Sequence, residues 1–193
     1  MISDAYRFIF VHIRKTGGTS IEKVFEPTAD ATDVRHKHAS LENYRKSYPR
    51  AFRQYFKFGF VRNPWDWLVS RYHWSRDTQH LFDFPFAEML RRIELGEPLS
   101  AEAEWLTTGA LLPQWSRLAV RGAIAVDFVG RYERLQQDFD IVCHRIGHPR
   151  AELPHVFATR HGHYTEYYDD ATRAIVERVY AADIAAFDYR FGA

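Results

Sequence analysis

A short segment of cations, hydroxyl residues and glycines is the part of the sequence best suited to chemistry. It consists of Arg14, Lys15, Thr16, Gly17, Gly18, Thr19 and Ser20. Glycines let several backbone N–H groups turn toward one point, and a helix that starts after them adds the positive end of its dipole. Lys15 adds a mobile positive charge, and the hydroxyls add hydrogen-bond donors. The segment therefore predicts a loop that binds a phosphate or sulfate group.

The order of the residues in this loop argues against ATP as its ligand. The common triphosphate-binding loop, G-x-x-x-x-G-K-[ST], places its lysine after the glycines, whereas Lys15 precedes Gly17 and Gly18. A P-loop small-molecule kinase would also need an aspartate after an apolar strand, and Asp127 instead lies inside a predicted strand. The kinase stays an alternative interpretation of the loop, as does a nucleotide-binding module without catalysis.

Apolar runs place this loop and the rest of the chain in an α/β fold. Continuous β-branched and aromatic residues predict buried strands at residues 7–13, 55–61 and 123–130. Helical spacing predicts later helices at about residues 40–48, 64–76, 86–95, 102–112, 133–146 and 170–187. This alternation predicts one domain over residues 1–193, a P-loop-type three-layer fold in which helices flank a central parallel sheet. Ligands then belong at the carboxyl ends of the strands.

Cap residues and prolines predict where the first helices begin and end. A helix after the glycine loop is expected to start with Thr19 or Ser20 as its cap and to end near residue 27. Ser40 is the expected cap of the next helix, which Pro49 is expected to stop. Asn63, followed by a proline, is the expected cap of the third helix.

Composition and charge limit the kinds of partner that the protein binds. The chain has 193 residues and a formal net charge of +1, so nucleic acid and anionic membranes are not expected partners. The single cysteine, Cys143, lies in an apolar-periodic stretch and is expected to be a buried thiol. The apolar run at residues 8–13 is too short for a signal peptide and contains His12. With no run of membrane-spanning length, the sequence predicts a protein without a membrane span, located in the cytoplasm.

Residues 10–22, F-V-H-I-R-K-T-G-G-T-S-I-E, resemble the 5′-phosphosulfate loop of the sulfotransferases. They are most similar to the glycan-modifying branch, which includes heparan and chondroitin O-sulfotransferases and usually has I-P-K-T-G-G-T-S. The resemblance implies 3′-phosphoadenosine 5′-phosphosulfate as the co-substrate, with residues 14–20 around its phosphosulfate. Arg14 stands where that branch commonly has proline. It is open at this point whether Arg14 is a further anion contact or a solvated side chain.

A second stretch, residues 58–72, resembles the 3′-phosphate motif of the same family. In that motif an arginine at a strand end and a serine eight residues later grip the ribose 3′-phosphate, which implies these roles for Arg62 and Ser70. Arg62 would end a strand, and Ser70 would lie about two turns into the following helix. A guanidinium supplies a forked donor for phosphate oxygens, and a serine hydroxyl adds one donor more. The resemblance also implies, less specifically, that Tyr132 lies beside the adenine and that Arg160 contacts a phosphate.

A general base for the acceptor hydroxyl must come from outside these two motifs. The residues His36-Lys37-His38-Ala39 resemble the K-H-A segment that carries a catalytic histidine in the glycan branch, which implies His38 as the base. His36 stays an alternative. Histidine suits this task because its ordinary pKa lies near neutrality. Lys15 is expected to stabilise the negative charge that develops on the oxygen between phosphorus and sulfur in the co-substrate. No metal is expected, because the H-x-H pairs at 36–38 and 161–163 lack a matching carboxylate or cysteine cluster.

The acceptor is the least defined part of the predicted function. The resemblance to the glycan branch favours a hydroxyl of a carbohydrate or glycoconjugate. Trp74, Trp105 and Trp115 could offer stacking faces to a sugar, although packing in the core is the simpler interpretation of each. The sequence leaves the identity of the acceptor and the oligomeric state open.

Overall fold

The computed structural model describes residues 1–26, 38–100, 111–154 and 162–193. Most of the predicted helix at residues 102–112 lies outside these ranges, as do His36, Trp105, Arg160 and His161. The chain forms two compact units, Met1–Arg62 with Gln114–Phe157 and Asn63–Pro113 with Ala158–Ala193. The single domain over residues 1–193 stays a prediction.

The first unit is built on a mixed β-sheet. The strands of this unit are, in chain order, β1 (Ile2–Ser3), β2 (Phe8–Val11), β3 (Phe56–Val61), β4 (Ala119–Val120), β5 (Ala123–Ile124) and β6 (Phe128–Arg131). The sheet has the order β1-β2-β3-β6, in which β2, β3 and β6 are parallel and β1 is antiparallel to β2. The predicted α/β fold with a central parallel sheet is confirmed, and β1 makes that sheet mixed.

The predicted strand at residues 123–130 is wrong in its first half. Ala123 belongs to β5, which pairs with β4 in a separate hairpin, and the inner strand begins only at Phe128. The turn of this hairpin consists of Arg121 and Gly122, with φ angles of 52° and 82°. Two successive positive φ angles are what a tight two-residue hairpin turn requires. The continuous apolar pattern therefore concealed a change of strand.

Nine α-helices lie in the described part of the chain. They are α1 (Gly18–Phe25), α2 (Leu41–Ser47), α3 (Pro49–Gln54), α4 (Pro64–His73), α5 (Phe86–Leu95), α6 (Gln114–Leu118), α7 (Leu135–Ile146), α8 (Asp170–Val179) and α9 (Ala181–Phe187). The first three, α6 and α7 belong to the first unit, and the others belong to the second. None of those described combines the length and the apolar character needed to cross a bilayer.

Phenylalanine rings fill the core on one face of the first unit's sheet. The core cluster contains Phe8, Phe10, Phe58 and Phe60 from the strands, Ile21 and Phe25 from α1, and Phe139, Val142 and Cys143 from α7. The Cys143 thiol is buried as predicted, and burial raises its pKa to about 11. Gly59 lies between Phe58 and Phe60 in β3 and so faces the other side. A Cβ there would lie 2.5 Å from Cδ2 of Leu118 in α6, so helices cover both faces.

The helix starts of the first unit agree with the sequence at one position and differ at another. Gly17, with φ 80°, is the N-cap of α1, so the predicted caps Thr19 and Ser20 are wrong because both lie inside the first turn. α2 begins as predicted, because Ser40 accepts a hydrogen bond from the Asn43 N–H and the Asn43 side chain accepts one from the Ser40 N–H. Pro49 ends α2 only by starting α3, where it is the first residue.

The second unit is helical in its described ranges. Asn63 caps α4 as predicted, because its side chain accepts a hydrogen bond from the Trp65 N–H at 3.1 Å. α4 then continues into a π-helix, Trp74–Thr78, and α5 has the predicted bounds. The predicted continuous helix at residues 170–187 is wrong, because Tyr180 has φ −107° and ψ 23° and separates α8 from α9.

Ser40→Ala is expected to lower the free energy of unfolding by about 1 kcal/mol, because the first turn of α2 loses its side-chain acceptor. Urea-induced unfolding measures this change. Ser47→Ala, at an exposed position near the other end of α2, is the matched control and should change the free energy by less than about 0.5 kcal/mol. Equal losses in the two variants would show that the capping box does not stabilise the helix.

Candidate functional site

The loop between β2 and α1 turns through two residues with left-handed backbone conformations. Lys15 has φ 63°, which is uncommon for a residue with a side chain, and Gly17 has φ 80°. The Gly17 carbonyl then accepts hydrogen bonds from the Ser20 and Ile21 N–H groups at 3.1 and 3.4 Å. The loop thereby ends at the first amide groups of α1, an arrangement that favours a bound anion.

The hydroxyl residues of this loop occupy different positions. Thr16 is fully buried, and its Oγ1 donates a hydrogen bond to the Ile13 carbonyl at 2.9 Å, so this hydroxyl closes the loop on itself. Thr19 is half-buried and Ser20 is buried in the first turn of α1. Their contacts with a phosphosulfate group, and those of the loop as a whole, stay predictions.

Arg62, at the carboxyl end of β3, reaches the same loop. Its Nη1 donates a hydrogen bond to the Lys15 carbonyl at 3.3 Å, and its guanidinium carbon lies 4.1 Å from the centre of the Tyr132 ring. Arg62 is only 6% exposed, so both contacts lie largely out of water. The structure therefore brings the two sequence motifs together across 47 residues of chain. Tyr132, the predicted neighbour of the adenine, packs on Arg62.

Gln114 is a positioning residue that sequence reasoning missed. It is fully buried at the start of α6, where its Oε1 accepts a hydrogen bond from the Arg62 N–H at 2.9 Å. Its Nε2 donates a hydrogen bond to the Arg62 carbonyl at 2.8 Å. These two bonds satisfy the backbone of Arg62 at the point where β3 ends. No local pattern marks Gln114, because its partner lies 52 residues away.

Arg14 lies half-buried in the loop, near a second cation. Burial lowers the pKa of its guanidinium, and the nearby Arg117 lowers it further. Burial likewise lowers the pKa of the Arg117 guanidinium. Sequence reasoning did not identify Arg117 as a neighbour of this loop. Arg117 follows Gln114 by three residues in α6, so both side chains lie on the same side of that helix. The Arg14 side chain is therefore not fully solvated. A contact between Arg14 and an anion stays a prediction.

His38 lies beside the strand end from which the loop starts. Its Nδ1 is 3.2 Å from the His12 carbonyl oxygen, and the two imidazole rings are 4.4 Å apart at an angle of 68°. A carbonyl only accepts hydrogen bonds, so Nδ1 of His38 carries the hydrogen, and in the neutral ring Nε2 carries the lone pair. That tautomer is the one that a general base acting through Nε2 requires. The choice of His38 over His36 stays a prediction.

Ser70 belongs to the second unit, where it is fully buried in α4. Arg62 belongs to the first unit, and the joint grip of these two residues on a 3′-phosphate stays a prediction. Elsewhere in α4 the predicted core positions are confirmed as buried. They are Trp65, Leu68, Val69 and Tyr72. Trp74 and Trp115, considered as stacking faces for a sugar, are partly buried.

Gln114→Ala is expected to lower the free energy of unfolding by about 2 kcal/mol or more, because the buried N–H and carbonyl of Arg62 lose their partners. Chemical denaturation measures the loss. Gln137→Ala removes an exposed glutamine side chain of α7 and should have almost no effect. A loss of the same small size in both variants would contradict the positioning role of Gln114.

Comparison with known proteins identifies relatives of this chain. The family model described as "Sulfotransferase family" matches residues 1–190. Carbohydrate sulfotransferase 14 of Homo sapiens is 29% identical over 230 residues, covering 98% of this chain and 59% of that protein. The Mus musculus protein of the same name is 30% identical over 194 residues, covering 85% of this chain and 50% of that protein. This chain thus spans about half to three fifths of the length of these curated relatives.

A solved structure shares the fold at low sequence identity. The crystal structure of mouse sulfotransferase SULT7A1 complexed with PAP matches with a TM-score of 0.57 and 12% identity. The match covers 95% of this chain and 86% of that chain. This likeness supports the α/β architecture described above. Because the family model matches nearly the whole sequence, this chain belongs to the sulfotransferase family.

Proposed function

We propose that this protein transfers the sulfuryl group of 3′-phosphoadenosine 5′-phosphosulfate to an acceptor hydroxyl, with His38 as the general base. The observation that carries the proposal is the position of His38, whose Nδ1 faces the carbonyl of His12 at 3.2 Å. His12 directly follows β2 and precedes the glycine loop, so the base lies beside the strand end from which the loop starts. Membership of the family supports sulfuryl transfer as the class of reaction.

The residues around the loop fit the co-substrate. Arg14 and Lys15 are loop cations, Arg62 is bonded to the loop, and the first amides of α1 lie at its end. The co-substrate supplies the sulfuryl group. In this proposal residues 14–20 hold its 5′ end, while Arg62 and Ser70 hold the 3′-phosphate. Lys15 neutralises the charge that develops on the oxygen between phosphorus and sulfur as the O–S bond breaks.

His38 removes the proton of the acceptor at Nε2. In-line transfer requires the acceptor oxygen to approach opposite the leaving oxygen, and its proton must leave as the new O–S bond forms. The Nδ1–H group, held on the His12 carbonyl, fixes the tautomer in which Nε2 carries the lone pair. The same hydrogen bond stabilises the imidazolium after proton transfer. No metal takes part in this mechanism.

A carbohydrate or glycoconjugate is the proposed acceptor. Its support is the similarity to carbohydrate sulfotransferase 14, at 29% and 30% identity in the two mammalian proteins. A screen of sugars, lipids, phenols and peptides, read by mass spectrometry for an added sulfuryl group, tests this. Sulfation confined to lipids, phenols or peptides would contradict the proposed acceptor. The cytoplasmic location of the protein also stays a prediction.

Three substitutions separate co-substrate binding from catalysis. His38→Ala is expected to lower turnover by roughly 10²- to 10⁴-fold, the usual contribution of a general base, while binding of 3′-phosphoadenosine 5′-phosphate stays nearly intact. Lys15→Ala and Arg62→Ala should weaken both, since each removes a charged contact, and the Kd for Arg62→Ala should rise about 10- to 100-fold. Calorimetric titration with the nucleotide and a transfer assay measure the two effects.

The control for these variants is His144→Ala, which removes an exposed histidine of α7 in the same unit. Turnover and nucleotide affinity should both stay at the parent values. Near-normal turnover of His38→Ala would show that another group is the base. Nucleotide binding without transfer to any acceptor would favour the non-catalytic module, and thermal stabilisation by ATP with magnesium instead would favour the kinase.

A further inference from the structure

We propose that His12 and Glu22 are positioning residues, which hold the imidazole of His38 in place and favour its positive charge during proton transfer. The inference rests on the proposed function, in which His38 is the base. Neither His12 nor Glu22 was among the predicted site residues. Their role is argued from the contacts of the His12 ring outward to the base.

Glu22 and Phe10 fix the orientation of the His12 ring. Nδ1 of His12 lies 2.7 Å from Oε1 of Glu22, and the ring stacks on Phe10 with centres 5.7 Å apart and planes at 13°. An ionised carboxylate only accepts hydrogen bonds, so Nδ1 of His12 carries the hydrogen. The two side chains are 4% and 18% exposed, so this charge-assisted contact is largely shielded from water.

Gly18 of the loop provides the space that the His12 ring occupies. A Cβ at position 18 would lie 2.1 Å from Cδ2 and 2.3 Å from Nε2 of His12. Those distances are far shorter than van der Waals contact, so any larger residue would displace the ring. Gly18 is the first residue of α1 and has no positive φ angle, so its backbone alone does not require glycine. The second glycine of the motif is therefore explained by the buried histidine.

His12 contacts the base through its backbone and through its ring. Its carbonyl faces Nδ1 of His38, and the edge of one ring packs on the face of the other at 4.4 Å. His38 has φ 67°, a left-handed conformation that is uncommon for a residue with a side chain. Such a conformation persists only where the surrounding contacts hold it. The position of the base therefore depends on His12, whose ring in turn is held by Glu22.

Glu22 also affects the charge around the base. Its carboxylate lies one imidazole ring away from His38, where a negative charge favours the imidazolium that forms on proton transfer.

Nitrogen NMR of the histidine rings tests the positioning directly, in the nucleotide-free protein and without turnover. In the parent protein we expect Nδ1 of His38 to give the signal of a protonated nitrogen and Nε2 that of a nitrogen with a lone pair. Glu22→Ala should move both signals toward the average of the two tautomers, because the His12 ring is no longer held. Glu26→Ala, which removes an exposed acid at the end of α1, is the matched control and should leave them unchanged.

The same variants are compared in sulfuryl transfer and in binding of 3′-phosphoadenosine 5′-phosphate. Glu22→Ala is expected to lower kcat roughly 10-fold or more, as loss of an outer orienting carboxylate commonly does. The KM for the co-substrate and the Kd for the nucleotide should stay near the parent values, because the loop keeps its own groups. Glu22→Gln keeps an acceptor for His12 without the charge, so its kcat should lie between those of Glu22→Ala and the parent.

Unchanged His38 signals together with parent kcat in Glu22→Ala would overturn the proposal. If Glu22→Ala loses nucleotide binding because it does not fold, Glu22→Gln decides, and parent kcat in that variant overturns the proposal. Signals that respond to Glu22→Ala in a protein that transfers no sulfuryl group would support the positioning and refute the proposed function. The opposite result is a parent protein that transfers the group, an inactive His38→Ala and a Glu22→Ala variant unaffected in both measurements. It would support the proposed function and refute the positioning role.

Discussion

The parallel pairing of β2 with β3 is the constraint on which the candidate site depends. Its register aligns Phe8 with Phe56 and Val11 with Gly59, so both strands end at the same edge of the sheet. The chain segments that follow them therefore emerge side by side, and Arg62 reaches the Lys15 carbonyl. A shift by one residue would exchange the two faces of β3 and turn its phenylalanines away from the core. The core that fixes this register thus also fixes the separation of the two motifs.

The two glycines of the loop serve different physical needs before any ligand binds. Gly17 has φ 80°, and a Cβ there would lie 2.5 Å from Cδ2 of Leu135 in α7, so the turn and the packing of a helix both require it. Gly18 instead makes room for the ring of His12. The sequence predicts that these two glycines bind a ligand. The structure shows that the fold itself also requires both of them. Substitution of either residue would alter the loop and its surroundings together.

Features fixed by neighbouring residues could be predicted from the sequence, and features fixed by distant residues could not. The strand at β2, the cap at Ser40 and the bounds of α5 follow from local patterns. Gln114 and Arg62 form hydrogen bonds across 52 residues of chain, and no periodicity in the sequence predicts that contact. Glu22 was part of the recognised motif, but its contact with His12 depends on how α1 turns back along β2. The separate hairpin of β4 and β5 was missed because its apolar residues continue the pattern of the next strand.

Positive charge at the loop is held at an electrostatic cost. Burial lowers the pKa of Arg14 and of Arg117, and the second guanidinium lowers the pKa of the first still further. Their charged forms are therefore less favourable in the ligand-free fold than in water. An anion bound near them would offset that cost by supplying the opposite charge, so binding would recover stability that the fold gives up. Arg14, which stands where the similar glycan branch commonly has proline, adds to this cost, and an anion bound beside it would offset the addition.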